Sequence, residues 1–112
     1  MIKKQDWIWH GLAGHFICSP DCRYRQCTEI GKYLISTVGE YRPDYKKGEL
    51  IEIGADRFYE TMVFEIDYYC DTKKCGCGHP MIVPSELDFL SAKTKKEADK
   101  NHLYMCEKWS RK

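Results

Sequence analysis

Three thiols and an imidazole in the last third of this 112-residue chain have the types and spacing of a metal site. Cys75-Gly76-Cys77-Gly78 sets two cysteines in a glycine-loosened turn, and His102-x-x-x-Cys106 sets two more donors four residues apart. On a helix, residues i and i+4 leave the same face, so one helix would present both donors to the turn. Three thiolates with one imidazole form a standard closed ligand set for structural zinc. The ion expected is therefore Zn2+. Cys70 could replace Cys75, because a one-residue gap between ligands is tight. Cys22, with His15 and Cys18, forms a second candidate group that could complete a site with His102 and Cys106. His79, between Gly78 and Pro80, reads equally as a ligand or a loop residue, and Cys27 falls mid-strand as a plain core thiol. The competing reading makes His102 and Cys106 simply buried core residues; the matching thiols in the Cys75 turn favour the metal. A structural zinc supplies on the order of 10 kcal/mol to folding, comparable with the whole net stability of a domain, about 5–15 kcal/mol.

An open, catalytic metal site would need three protein ligands, a water and usually a carboxylate base beside it. Glu107 follows Cys106 at once, but successive residues on a helix diverge by about 100 degrees. There is no H-E-x-x-H pattern, phosphate loop or nucleophile elbow. The expectation is a protein that is not an enzyme.

The elements that must position these residues read as strands first and a helix last. Tyr24, Gln26, Thr28 and Ile30 share one side of a strand, Gly31-Lys32 suits a two-residue type II′ hairpin, and Tyr33 to Tyr41 returns through Ile35, Thr37 and Val38. His15 to Cys18 reads as a short strand. Leu50 to Ile53 is a short apolar piece. Tyr59 to Tyr69 is the clearest strand, with Met62, Phe64 and Ile66 on one side and Glu65 and Asp67 opposite. Pro80 and Pro84 make residues 71–85 a loop, and Ser85 caps a helical turn through Leu90. Thr94 and Glu97 form a capping box. Behind it Ala98, His102, Met105, Cys106 and Trp109 recur at helical spacing. The expected fold is α+β: one domain over residues 1–112, a small antiparallel β-sheet packed against a C-terminal α-helix and stapled by a structural zinc site.

With 18 basic and 17 acidic residues the chain is nearly neutral, but the charge is uneven. Glu40 to Asp71 holds nine acids against four bases, and Thr72 to Lys112 holds nine bases against five acids. Such a dipolar field can steer binding to a basic protein surface. Glu49, Glu52 and Asp56 are the candidate contact residues. Trp7, Trp9, Tyr24 and Tyr33 near Arg23, Arg25 and Lys32 make an aromatic–basic mixture that can stack bases, although the acidic centre opposes a phosphate backbone. Lys3 and Lys4 are not followed by a continuous apolar run, so no export signal is expected. No stretch has the length and apolarity of a bilayer-spanning helix. Seven cysteines then suit a reducing cytosol, where thiols bind metal more often than they pair.

The series Trp9-His10-Gly11, His15-Phe16-Ile17, Cys22, Ser36-Thr37-Val38-Gly39-Glu40-Tyr41, Tyr59-Glu60-Thr61-Met62-Val63-Phe64 and Cys106-Glu107-Lys108-Trp109 resembles small proteins encoded by bacteriophages and prophages. It also looks like the zinc-containing anti-CRISPR proteins of the type II-A group. The resemblance implies a stoichiometric inhibitor of Cas9, acting in the cytoplasm of a bacterial host and needing no catalysis. The cysteines of residues 70–77 are not a uniform feature of the wider family, which shifts weight from Cys75 and Cys77 towards His102 and Cys106.

Overall fold

The computed structural model describes residues 2–5, 22–42, 47–52, 57–69, 80–83 and 85–112. They form strands β1 (Ile2–Gln5), β2 (Cys22–Ile30), β3 (Tyr33–Tyr41), β4 (Tyr59–Tyr69), β5 (Pro80–Ile82) and β6 (Asp88–Ala92), followed by helix α1 (Lys95–Trp109). All pairings are antiparallel, in the order β1-β2-β3-β4, with the outer side of β4 shared by β6 along its first half and β5 along its second. The fold is thus a small antiparallel sheet with one C-terminal helix, as the strand-then-helix pattern anticipates.

Ile30 faces Tyr33 across the β2–β3 hairpin, leaving Gly31 and Lys32 as the turn. Gly31 takes φ +58, the glycine position of a type II′ turn, whose twist matches that of the flanking strands. β4 spans Tyr59–Tyr69, and its period-2 alternation identifies one buried side, with Phe64 at its centre. The structure buries the other side as well. Thr61 and Val63 face α1 while Phe64 faces away from it, and all three are buried. Two satisfied faces explain why burial in β3 runs almost unbroken from Leu34 to Gly39.

α1 begins where the capping signal places it. Thr94 Oγ1 accepts from Glu97 N–H at 3.2 Å, and its hydroxyl donates to Glu97 Oε1 at 3.3 Å. This satisfies one of the orphan donors of the first turn. The helix buries Ala98, His102, Met105 and Cys106, and Trp109, half-buried, stacks edge-on against Tyr33 with ring centroids 4.9 Å apart.

Two local expectations are corrected. Residues 85–90 are not a helical turn: Asp88–Ala92 is β6, with Phe89 opposite Met62 and Leu90 opposite Thr61. β4 offers unpaired backbone groups there, and joining them outweighs a weak cap at Ser85. Within the expected loop 71–85, Pro80–Ile82 forms β5 against Tyr69 to Ile66. Proline is tolerated because it opens a short edge strand. Ile51 makes only an isolated bridge to Tyr41. The strand expected at His15–Cys18 lies outside the described residues.

Candidate functional site

His102 sits at the centre of the helix–sheet interface, 1% exposed. Its Nε2 lies 2.8 Å from Thr28 Oγ1 and its Nδ1 lies 2.7 Å from Thr37 Oγ1. Thr37 Oγ1 in turn lies 2.8 Å from Thr61 Oγ1. Thr37 and Thr61 are direct register partners on β3 and β4. When the imidazole is neutral it donates through one nitrogen and accepts through the other, and the two threonines bonded to it then play opposite roles. The result is a directional hydroxyl–imidazole chain across three strands. These threonines were not singled out in the sequence, where β-branched residues read simply as strand formers. The available signal was three inward-facing threonines on adjacent strands opposite a histidine on the buried side of a helix.

Cys106 is buried one turn further along, in the apolar cluster of Ile30, Ile35, Val63 and Met105. His102 and Cys106 therefore share a helix face as their spacing requires, and both look into the sheet. As arranged, His102 does not fit a zinc ligand set, because both ring nitrogens already carry hydrogen bonds. A metal there would displace a threonine and strand its hydroxyl in the core. Among the described residues no three His, Cys, Asp or Glu side chains converge as metal ligands. Cys70, Cys75 and Cys77, as well as His15, Cys18 and His79, lie outside the described residues.

For Cys22 only the backbone is described, at the start of β2 opposite Tyr41. Tyr69, the residue before Cys70, lies beyond Glu65, which pairs with Tyr33 at the other end of the sheet. β2 alone spans roughly 26 Å at 3.3 Å per residue, so the register separates Cys22 widely from the β4 end that leads to Cys70. The Tyr69 hydroxyl donates to Glu29 Oε1 at 2.7 Å, on the face of the sheet away from α1. Cys27 is buried on that same face with Leu34, a core thiol as expected.

The described acids of the acidic run do not share one surface. Glu60 is buried, and Glu40 accepts from the Tyr59 hydroxyl at 3.0 Å. Burial, followed by that hydrogen bond, pushes the Tyr59 hydroxyl up to about 12. Glu40 takes φ +54, and its N–H donates to Phe58 C=O at 3.2 Å. Gly39, beside it, has no room for a side chain, since a Cβ there would sit 2.2 Å from the Tyr59 ring. Tyr24 packs edge-on against Tyr59 and donates its hydroxyl to Asp99, so burial and then Asp99 raise its pKa. Tyr24 and Tyr33 both pack against neighbouring rings beneath α1, and Lys32 lies over the Tyr33 ring, its Nζ 5.6 Å from the centroid. Trp7 and Trp9 lie outside the described residues.

Glu49 and Glu52 are exposed, with Leu50 between them 41% exposed. Two contacts pin their segment: Ile51 N–H donates to Tyr41 C=O at 3.0 Å, and Arg42 Nη1 donates to Gly48 C=O at 3.3 Å. Gly48, at φ +76, makes the turn that this closure needs. Asp56 lies outside the described residues. No family model, curated protein or solved structure matches this chain, so the residues themselves carry the functional reading.

Proposed function

We propose that this chain is a phage-encoded anti-CRISPR protein that binds Cas9 stoichiometrically and blocks target DNA engagement or cleavage. The observation that carries the reading is the pinned tip Glu49-Leu50-Ile51-Glu52. It projects two carboxylates and an exposed leucine from a segment whose backbone is tied to β3. Its order lowers the entropy cost of docking. The carboxylates complement the basic channels with which an RNA-guided nuclease holds its nucleic acids. Asp56 completes the contact. The setting is the cytoplasm of the bacterial host, and no helix among the described residues is long and apolar enough to cross a membrane. The action is occupancy of a surface rather than turnover.

Zinc enters this reading as a structural ion. The ligands proposed for it are Cys70, Cys75 and Cys77 with a fourth protein donor that closes the set, His102 being left to its threonines. Its work is in folding, with no part in the chemistry of inhibition.

The test is charge reversal at the tip, Glu49→Lys with Glu52→Lys and Asp56→Lys. Inhibition of Cas9 cleavage should weaken at least about tenfold, the cost of roughly one lost interfacial charge pair. Zinc content and melting temperature should stay unchanged. Undiminished inhibition by this variant removes the tip from the mechanism. A titration completing at one molecule per Cas9 supports binding, whereas progressive inactivation of excess Cas9 points to catalysis.

A further inference from the structure

The outward face of α1 combines exposed lysines with two exposed large side chains. Leu103 and Tyr104 stand 66% and 57% exposed, side by side, one turn beyond Lys100. From Lys93 to Lys112 there are seven bases and three acids, and each acid is already engaged. Asp99 accepts from Tyr24, Glu97 from Thr94 and Glu107 from Arg111. Lys93, Lys96 and Lys100 are exposed, and none has a carboxylate within ion-pair distance among the described residues. Lys93 and Lys96 stand at the start of α1, where the helix dipole disfavours cations, and Lys100 follows one turn on. The arrangement works against the stability of the helix and is relieved when an anion lies along it.

A lysine ammonium contacts phosphate as a compact point charge without a fixed geometry, and the exposed ring of Tyr104 beside these lysines is what favours a nucleic acid over another polyanion. Arg111, just past the far end of α1, is closed onto Glu107 at 2.7 Å. Lys96 and Lys100 stand about 6 Å apart along the axis and Tyr104 about 6 Å further. That order gives two phosphate contacts and then a ring on which an unpaired base can stack. We infer that the outer face of α1, through Lys93, Lys96, Lys100 and Tyr104, binds single-stranded nucleic acid without sequence preference. The inference is independent of the proposed inhibition of Cas9 and uses the opposite charge. The inference does not draw on the N–H groups of the first turn, of which Thr94 caps that of Glu97.

The full chain titrated into a fluorescently labelled oligothymidylate tests this by anisotropy. Binding should weaken about 20-fold between 50 and 200 mM salt, the slope for about three phosphate contacts to a single strand. Lys96→Glu with Lys100→Glu should cut the salt slope to about a third or less, leaving at most the Lys93 contact. Tyr104→Ala should weaken binding about tenfold and leave the salt slope unchanged. All four positions are exposed, and an unchanged circular dichroism spectrum confirms that the variants are folded. Binding that is absent, or retained in full by the double lysine variant, overturns the inference. So does tighter binding of a duplex of the same length, or displacement by polyglutamate as effective as by unlabelled oligonucleotide, which would identify an acidic polypeptide as the partner.

Discussion

At the scale of single residues, His102 is buried and hydrogen-bonded through both ring nitrogens. It anchors α1 to the sheet with two hydrogen bonds formed away from water. Such bonds contribute modestly when made and cost much more when one partner is deleted. Thr37 carries the greater share, because its hydroxyl meets both His102 and Thr61. Thr37→Val keeps the shape and removes that hydroxyl, so two buried polar atoms lose a partner. The expected loss is about 1–3 kcal/mol, read as a lower midpoint in urea at unchanged m-value. A midpoint within experimental error of the parent would show that the hydroxyl chain contributes nothing to docking the helix.

At the scale of elements, Asp88 joins β6 to the last turn of α1. Its Oδ2 accepts from Lys108 Nζ at 2.7 Å and from Trp109 Nε1 at 3.0 Å, and its Oδ1 accepts from Phe89 N–H at 2.9 Å. Burial pushes this carboxyl up, but the three hydrogen bonds outweigh it and hold the pKa below its ordinary value. Because the folded value is the lower one, the stabilisation is fully present above the unfolded value, about 3.9. It is lost as pH falls through the folded value. Asp88→Asn should therefore cost about 1 kcal/mol at neutral pH and should flatten the decline in stability below about pH 4. Parallel stability curves for the two proteins across that acid range would discount the contact. The same side chain caps Phe89 N–H, and Asn101 Nδ2 donates to Ser91 C=O at 3.2 Å. These contacts satisfy backbone groups of β6 that an incoming strand would otherwise use.

For the molecule as a whole, the decisive question is what holds the helix to the sheet. The described interface has its own core, with Ile35, Val63 and Met105 almost fully buried together with the threonine-bonded His102. Zinc proposed at Cys70, Cys75 and Cys77 would then stabilise the end of the sheet beyond Tyr69, leaving α1 docked without it. Purified protein should contain zinc. Cys75→Ser with Cys77→Ser should lose the metal and lower the melting temperature while helical circular dichroism persists at room temperature. Metal retained by that variant but lost from His102→Gln would return the imidazole to the ligand set.

The local chain was sufficient to specify α1, the β2–β3 turn and β4. A capping pair, a glycine before lysine and an eleven-residue alternation each act over a few residues. The spacing that brings His102 and Cys106 to one buried helix face is legible for the same reason, because helical periodicity is a property of the backbone. Tertiary structure decided what that face meets. Thr28 lies 74 residues from His102 and Thr37 lies 65, and nothing local marks them as its partners. It also decided that residues 88–92 extend a sheet, because β4 had unpaired edge groups to satisfy. Among the described acids from Glu40 onwards, Glu60 was buried and Glu40 bonded to Tyr59, whereas Glu49, Glu52 and Asp67 were left exposed, because strands turn successive side chains to opposite faces.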